Sequence, residues 1–247
     1  MARYPLWALL ALWFLAVSGV AQQPVPVQKQ AIEKIKALGG HAFLQDGRVV
    51  EVVLNRTRAT DADLQLVAGF TSLTDLSLEQ TAVGDQGLQH LVGLHKLQWL
   101  NLYQTEVGDA GLQRLSASKS IQHLPIGDTN VTDAGLVHLR QMTQLVYLGL
   151  RGNPITDAGV AQLKPLTNLS GLHLGETKIT DGALVPLQGM KRLKKLWLHD
   201  TAVSDAGIEH LGQLKSLREL HVHGTQISRD GLKRLGAALP RCKILAR

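Results

Sequence analysis

Between Leu73 and Leu217 one apolar position returns every 24 residues, at Leu73, Leu97, Ile121, Leu145, Leu169, Leu193 and Leu217. A chain with so strict a period cannot wrap around one central core. Each copy is too short to bury its own apolar edge and covers it only against the copies on either side, so the product is an elongated solenoid. Extended back by one period, the array has eight copies, beginning at Val49, Leu73, Leu97, Ile121, Leu145, Leu169, Leu193 and Leu217 and filling residues 49–236.

The slots of the repeat have separate physical readings. In L-x-x-L-x-L the apolar residues alternate as on one face of a strand, which predicts a parallel sheet with one strand per copy, spaced about 4.8 Å apart. A threonine follows each strand, at Thr57, Thr81, Thr105, Thr129, Thr177, Thr201 and Thr225, with Asn153 as the exception. Its hydroxyl is expected to bond the backbone of the turn and keep successive coils in line. Asp61, Asp85, Asp109, Asp133, Asp157, Asp181 and Asp205 precede a short helical segment and are read as its N-caps, structural rather than catalytic. Gly87, Gly111, Gly135, Gly159, Gly207 and Gly231 fall inside that segment, where glycine costs about 1 kcal/mol relative to alanine, so close packing is expected there. The leucines that follow sit three apart, which fits 3₁₀ turns or a short α-helix, and Pro186 favours the irregular form in its copy. Ser118, in place of a convex leucine, and Pro125, in mid-strand without a donor, mark one irregular copy.

The full pattern, L-x-x-L-x-L-x-x-T-x-V/I-x-D-x-G-L-x-x-L-x-x-L, resembles the leucine-rich repeat family over nearly all of the chain beyond its first residues. In detail it is similar to the ribonuclease-inhibitor-like and cysteine-containing subclasses, and to secreted bacterial proteins whose repeats carry T-D-A-G-L. The resemblance implies an α/β solenoid, with a curved parallel sheet on the concave side and short helices or 3₁₀ turns on the convex side. Repeats of this family are generally partner-binding surfaces, which implies a protein or peptide partner. The ending ALPRCKI resembles the last strand of ribonuclease-inhibitor-like arrays and is assigned, as residues 237–247, to a C-terminal cap.

Residues 1–21 read as a secretory signal. Arg3 is the positive end, Leu6 to Val17 is the apolar run, and Gly19, Val20 and Ala21 supply the small residues of a cleavage site. The alternative is an uncleaved anchor, against which the run is short of the roughly 20 residues of a span. The expected location is therefore secreted or periplasmic, with no stable membrane span after cleavage, or membrane-anchored if the signal is retained. Residues 22–28 read as a proline-punctuated tether, and residues 29–48 as an N-terminal cap of one helix and one strand.

Composition excludes several classes. The single cysteine, Cys242, allows no disulfide framework and is expected as a buried cap thiol. The net charge of +6 is carried by the last third, since residues 168–247 hold 13 Lys and Arg against 7 Asp and Glu. No nucleic-acid motif accompanies that surplus, so it is read as a solvated basic end and no nucleic-acid partner is assigned.

The residues between the buried strand leucines must face the concave side. Beyond the signal segment every Trp and Tyr falls there, at Trp99, Tyr103, Tyr147 and Trp197, beside His123, Arg151, His173, His199, His221 and His223. These ten residues are assigned as the ligand-binding surface, because aromatic side chains with polar tips on a rigid sheet are the usual anchors of an interface. His199, His221 and His223 lie on neighbouring strands, close enough by sheet spacing to suggest zinc or copper donors, but no metal ligand, catalytic residue or cofactor is assigned. The favoured function is a non-enzymatic interaction scaffold outside the cytoplasm. A carbohydrate or cell-envelope ligand stacked on the aromatics is the alternative, and a metal-dependent enzyme the third reading, since no nucleophile elbow or phosphate-binding loop is present.

Overall fold

The computed structural model describes residues 26–246. The signal segment and most of the tether lie outside the described residues. Helix α1 (Pro26–Ala37) begins ahead of Lys29, because proline is tolerated at the first helical position, where its missing N–H has no partner to lose. Gly39, with φ of +91°, ends it. Strand β1 (His41–Gln45) turns into β2 (Arg48–Val53) through Asp46 and Gly47, both at positive φ, the turn geometry that matches the twist of a hairpin.

From β2 onward one strand follows per 24 residues: β3 (Asp75–Ser77), β4 (Trp99–Asn101), β5 (His123–Pro125), β6 (Tyr147–Gly149), β7 (Gly171–His173), β8 (Lys195–Trp197), β9 (Glu219–His221) and β10 (Lys243–Leu245). All ten form one sheet in sequence order, antiparallel between β1 and β2 and parallel thereafter. The register places equal slots side by side, as in Tyr147 beside Gly171 beside Lys195 beside Glu219. Each copy's leucines stack on those of the next in a buried row, and Phe70 joins that row. Pro125 has no N–H to give to β4, and the pairing of β4 with β5 is reduced to Trp99 and His123.

The convex side mixes short helices with 3₁₀ turns. The α-helical pieces are α2 (Asp109–Leu115), α3 (Asp133–Leu136), α4 (Asp157–Gln162), α5 (Ile208–Gly212) and α6 (Arg229–Ala238). Pro186 opens a 3₁₀ turn over Pro186–Gly189. Cys242 is partly rather than fully buried, because the last strand has the core on one side only.

Two slots work differently from the sequence reading. The N-caps are the residues before the aspartates, except in the Asp85 copy, where Gln86 is the cap. Thr132, Thr156, Thr180 and Ser204 have extended backbone, so their side-chain oxygens accept the N–H two residues on. The aspartates are thereby free to reach the following coil. Asp109, Asp133, Asp157, Asp181 and Asp205 each accept both the backbone N–H and the hydroxyl of the Thr or Ser 23 residues later. Asp61 and Asp85 accept only the N–H of Gly84 and Gly108, which have no hydroxyl to give. The helical glycines make room for this ladder, since a Cβ at Gly87 would sit 2.6 Å from the Asp61 carboxylate. The threonine hydroxyls, in contrast, do not tie coils together, apart from that of Thr129, which also reaches Asn153 at 3.2 Å. Each donates to the carbonyl three residues back in its own turn, as Thr81 does to Leu78 at 2.7 Å. Asn153 makes the cross-coil bonds, accepting from the Thr129 N–H at 2.8 Å and donating to the Ile126 carbonyl at 2.8 Å.

Candidate functional site

The residue just before each threonine, and before Asn153, is left-handed: Arg56, Gln80, Gln104, Asp128, Gly152, Glu176, Asp200 and Gly224 all have positive φ. This conformation costs a residue with a Cβ about 1–2 kcal/mol. It turns the N–H toward the following coil, as in Asp128 to the Arg151 carbonyl at 2.7 Å and Asp200 to the His223 carbonyl at 2.9 Å. The slot adds a fourth row of side chains beside the three concave rows, and so brings in Asp128, Glu176 and Asp200. Sequence spacing left Asp128 and Glu176 unread because the slot has no constant residue. Gly152 and Gly224 were its only visible sign.

The ten assigned residues divide into groups. Tyr147, His173, Trp197, His199, His221 and His223 form one connected cluster over β6 to β9. Tyr147 meets Trp197 edge-on at 6.3 Å between ring centres, and Trp197 stacks on His221 at 5.5 Å and 26°. His173 fills the space between Trp197 at 5.3 Å and His199 at 5.1 Å, and His223 closes against His199 at 4.7 Å. Glycines form the floor beneath these rings. A Cβ on Gly171 would come within 2.9 Å of the Tyr147 ring, and one on Gly175 would overlap the His199 imidazole. The rings therefore lie down on neighbouring backbone instead of standing out into solvent.

Burial in this cluster disfavours charge. It takes His173 down to about 3, with the imidazoles of His199 and His221 and the charge of Arg151 adding to the effect. Burial also pulls His199 below the ordinary imidazole range, followed by repulsion from His223. The phenol of Tyr147 is pushed up by the same desolvation. His221 is held by Glu219, with Nε2 2.7 Å from the carboxylate, and that contact keeps Glu219 below its usual range.

Tyr103 and Arg151 belong to a second, polar group. The Tyr103 hydroxyl donates to Asp128 at 2.5 Å, and Arg151 pairs with Glu176 at 2.6 Å. Burial and then the Asp128 hydrogen bond raise the Tyr103 phenol to about 12. Trp99 and His123 are register neighbours on β4 and β5, half-buried and exposed respectively. The floor toward the N-terminal end is acidic, with Glu51, Asp75 and Glu79, and Glu51 is raised by burial and by Asp75 beside it. Among the described residues the basic surplus of the last third lies mostly off these rows, which hold Lys195 and Lys243 from it. The three-histidine grouping gives way to another. Donor atoms of His199, Asp200 and His223 lie within 4.8 Å of one another, whereas His221 is engaged by Glu219.

No family model matches the chain, and neither does any curated protein. Solved structures do. The chain is similar to internalin C2 of Listeria monocytogenes, with a TM-score of 0.61 and 24% identity over 93% of this chain and 100% of that one. It is similar to the LRR ectodomain of the Arabidopsis receptor kinase HAESA, solved with an N-terminally extended IDA peptide hormone, with a TM-score of 0.64 and 18% identity over 88% of this chain. The LRR ectodomain of GASSHO1/SCHENGEN3 from Arabidopsis thaliana, in complex with CASPARIAN STRIP INTEGRITY FACTOR 2, matches 80% of this chain with a TM-score of 0.56 and 18% identity. The fold is a leucine-rich repeat solenoid. The chain spans 38% and 24% of the two plant ectodomains, so it corresponds to a short section of those longer leucine-rich repeat arrays. Among the described residues no helix is long and apolar enough to cross a membrane.

Proposed function

We propose that this leucine-rich repeat chain is a non-enzymatic interaction scaffold outside the cytoplasm, taking a protein or peptide across its concave sheet. The observation that carries the reading is the connected cluster of Tyr147, His173, Trp197, His199, His221 and His223 on a glycine floor. Rings already locked by their neighbours lose little freedom on binding, and large, pre-ordered aromatic area is what interface anchors consist of. The peptide-bound plant ectodomains of like fold support the same reading. The location rests on the apolar leader with its small-residue cleavage site.

A protein or peptide fits this surface better than a glycan. The face of Trp197 is stacked on His221, and Tyr147 and His173 crowd its sides, so no wide open platform remains for a flat sugar ring. The test is to immobilise the chain and a variant with Trp99, Tyr103, Tyr147 and Trp197 changed to Ala, first shown by circular dichroism to keep the fold. Each is then offered the extracytoplasmic extract of the source cell. A protein held by the parent and lost by the variant supports the reading. Capture of the same protein by both places binding elsewhere. Quenching of tryptophan emission by oligosaccharides, with no protein captured, supports the glycan alternative.

A further inference from the structure

We propose that His199, Asp200 and His223 form a binding site for one divalent transition-metal ion of the zinc, nickel or copper class. Two imidazoles and a carboxylate are a donor set that suits these borderline ions. The three can present one donor atom each with all three inside 4.8 Å. Ligands about 2.1 Å from one tetrahedral ion lie about 3.4 Å apart, so side-chain rotation that draws the widest pair in by about 1.4 Å closes the site.

The backbone prepares this arrangement. Asp200 is left-handed, with φ of +54°, and its N–H is anchored to the His223 carbonyl at 2.9 Å, which locks the two ligand-bearing coils in register. The other acids of the same slot are engaged, Asp128 by Tyr103 and Glu176 by Arg151. The Asp200 carboxylate makes no hydrogen bond or ion pair among the described residues, and Gly224 in the next coil leaves it space.

His199 supplies the second, independent observation. It is 9% exposed, yet its buried Nδ1 has no hydrogen-bond partner among the described residues. Its Nε2 has only the His173 Nε2, at 3.5 Å, the limit of a hydrogen bond. A buried polar atom without a partner is costly, and few persist in a fold without a role. The Gly175 floor exists at the expense of any side chain there, since a Cβ would overlap this imidazole. Asp200 is exposed and His223 half-buried, so an ion can enter from the concave side. Three protein donors leave at least one coordination position open toward whatever lies on that face.

The site does not depend on the scaffold reading, and its test uses the metal alone. The untagged chain is titrated with ZnCl₂ by calorimetry, alongside His223→Ala, Asp200→Asn and, as control, His95→Ala at an exposed histidine of an earlier copy. One equivalent is expected to bind, with affinity reduced at least about tenfold in the first two variants and unchanged in the third. Zinc is also expected to shift the imidazole signals of His199 and His223 and to raise the Tm of the parent but not of His223→Ala, which reports on the site even if a variant is less stable. Absence of one-equivalent binding would overturn the proposal. So would binding that survives both His223→Ala and Asp200→Asn, or binding lost equally in His95→Ala.

Discussion

The Asp133 carboxylate leaves its own coil and closes on Thr156 in the next, accepting the backbone N–H at 2.8 Å and the hydroxyl at 2.5 Å. Gly159 lies directly beneath it, and a Cβ there would come within 2.8 Å of the Asp133 carboxyl carbon. The two positions are therefore one device. Asp133→Ala should cost about 1.5–3 kcal/mol, the range for hydrogen bonds to a charged group. Gly159→Ala should destabilise the parent, although alanine is worth about 1 kcal/mol in an open helix. In the Asp133→Ala background the loss should shrink, because the carboxylate has gone and only the Leu136 side chain, 3.1 Å from that Cβ, has to give way. Urea unfolding of the two single variants and the double variant measures this coupling, and strict additivity would show that the glycine answers to something else.

Asn153 is the one copy in which the threonine slot bridges coils. It is 1% exposed and serves the Thr129 N–H, the Thr129 hydroxyl and the Ile126 carbonyl. Asn153→Ala should strand one buried backbone group, the Thr129 N–H, since the Ile126 carbonyl keeps the Thr129 hydroxyl at 2.9 Å, at a cost of about 1–3 kcal/mol. Asn153→Thr should cost less, because a threonine closes its own turn at this slot in seven other copies. Equal losses in the two variants, read by thermal unfolding, would mean that the cross-coil bonds carry little of the stability.

The left-handed slot predicts a graded response at Gly152. Its φ is +73°, and the Asp128 carboxylate occupies the space a Cβ would need. Gly152→Ala should destabilise by at least about 1–2 kcal/mol from the backbone alone. Removing the obstruction with Asp128→Gly should recover part of that loss and no more, since the backbone term remains. Full recovery would assign the whole effect to the clash.

The parts of this fold that were legible in the sequence are those where a slot and its partner share one copy or one register. The 24-residue leucine interval placed the strands, their parallel pairing and the concave rows. It could not place the partners of Asp133 and its equivalents. In a perfect repeat an aspartate that caps its own turn and one that reaches 23 residues onward leave the same spacing. The left-handed slot was hidden for a different reason. A backbone hydrogen bond to the next coil fixes its conformation, and Arg56, Gln80, Glu176 and Asp200 all satisfy that requirement, so no single residue type marks the slot. The donor grouping is set by the same row, because Asp200 stands in it beside His199 and His223, while Glu219 engages His221.

Tyr103 offers a reading of the polar group that needs no ligand. Burial, and after it the hydrogen bond to Asp128, raises its phenol to about 12. A phenol that holds its proton more tightly when folded stabilises the fold below its unfolded pKa of about 10, and that contribution is lost as the pH rises through the folded value. The Cζ signal of Tyr103, followed through the alkaline range, should therefore titrate well above an ordinary tyrosine. In Asp128→Asn the acceptor's charge is gone but the burial stays, so the phenol should fall toward, without reaching, the ordinary range. A Tyr103 that titrates as a free phenol in the parent would mean that the hydroxyl faces water, and that the Asp128 row takes no part in ordering the concave face.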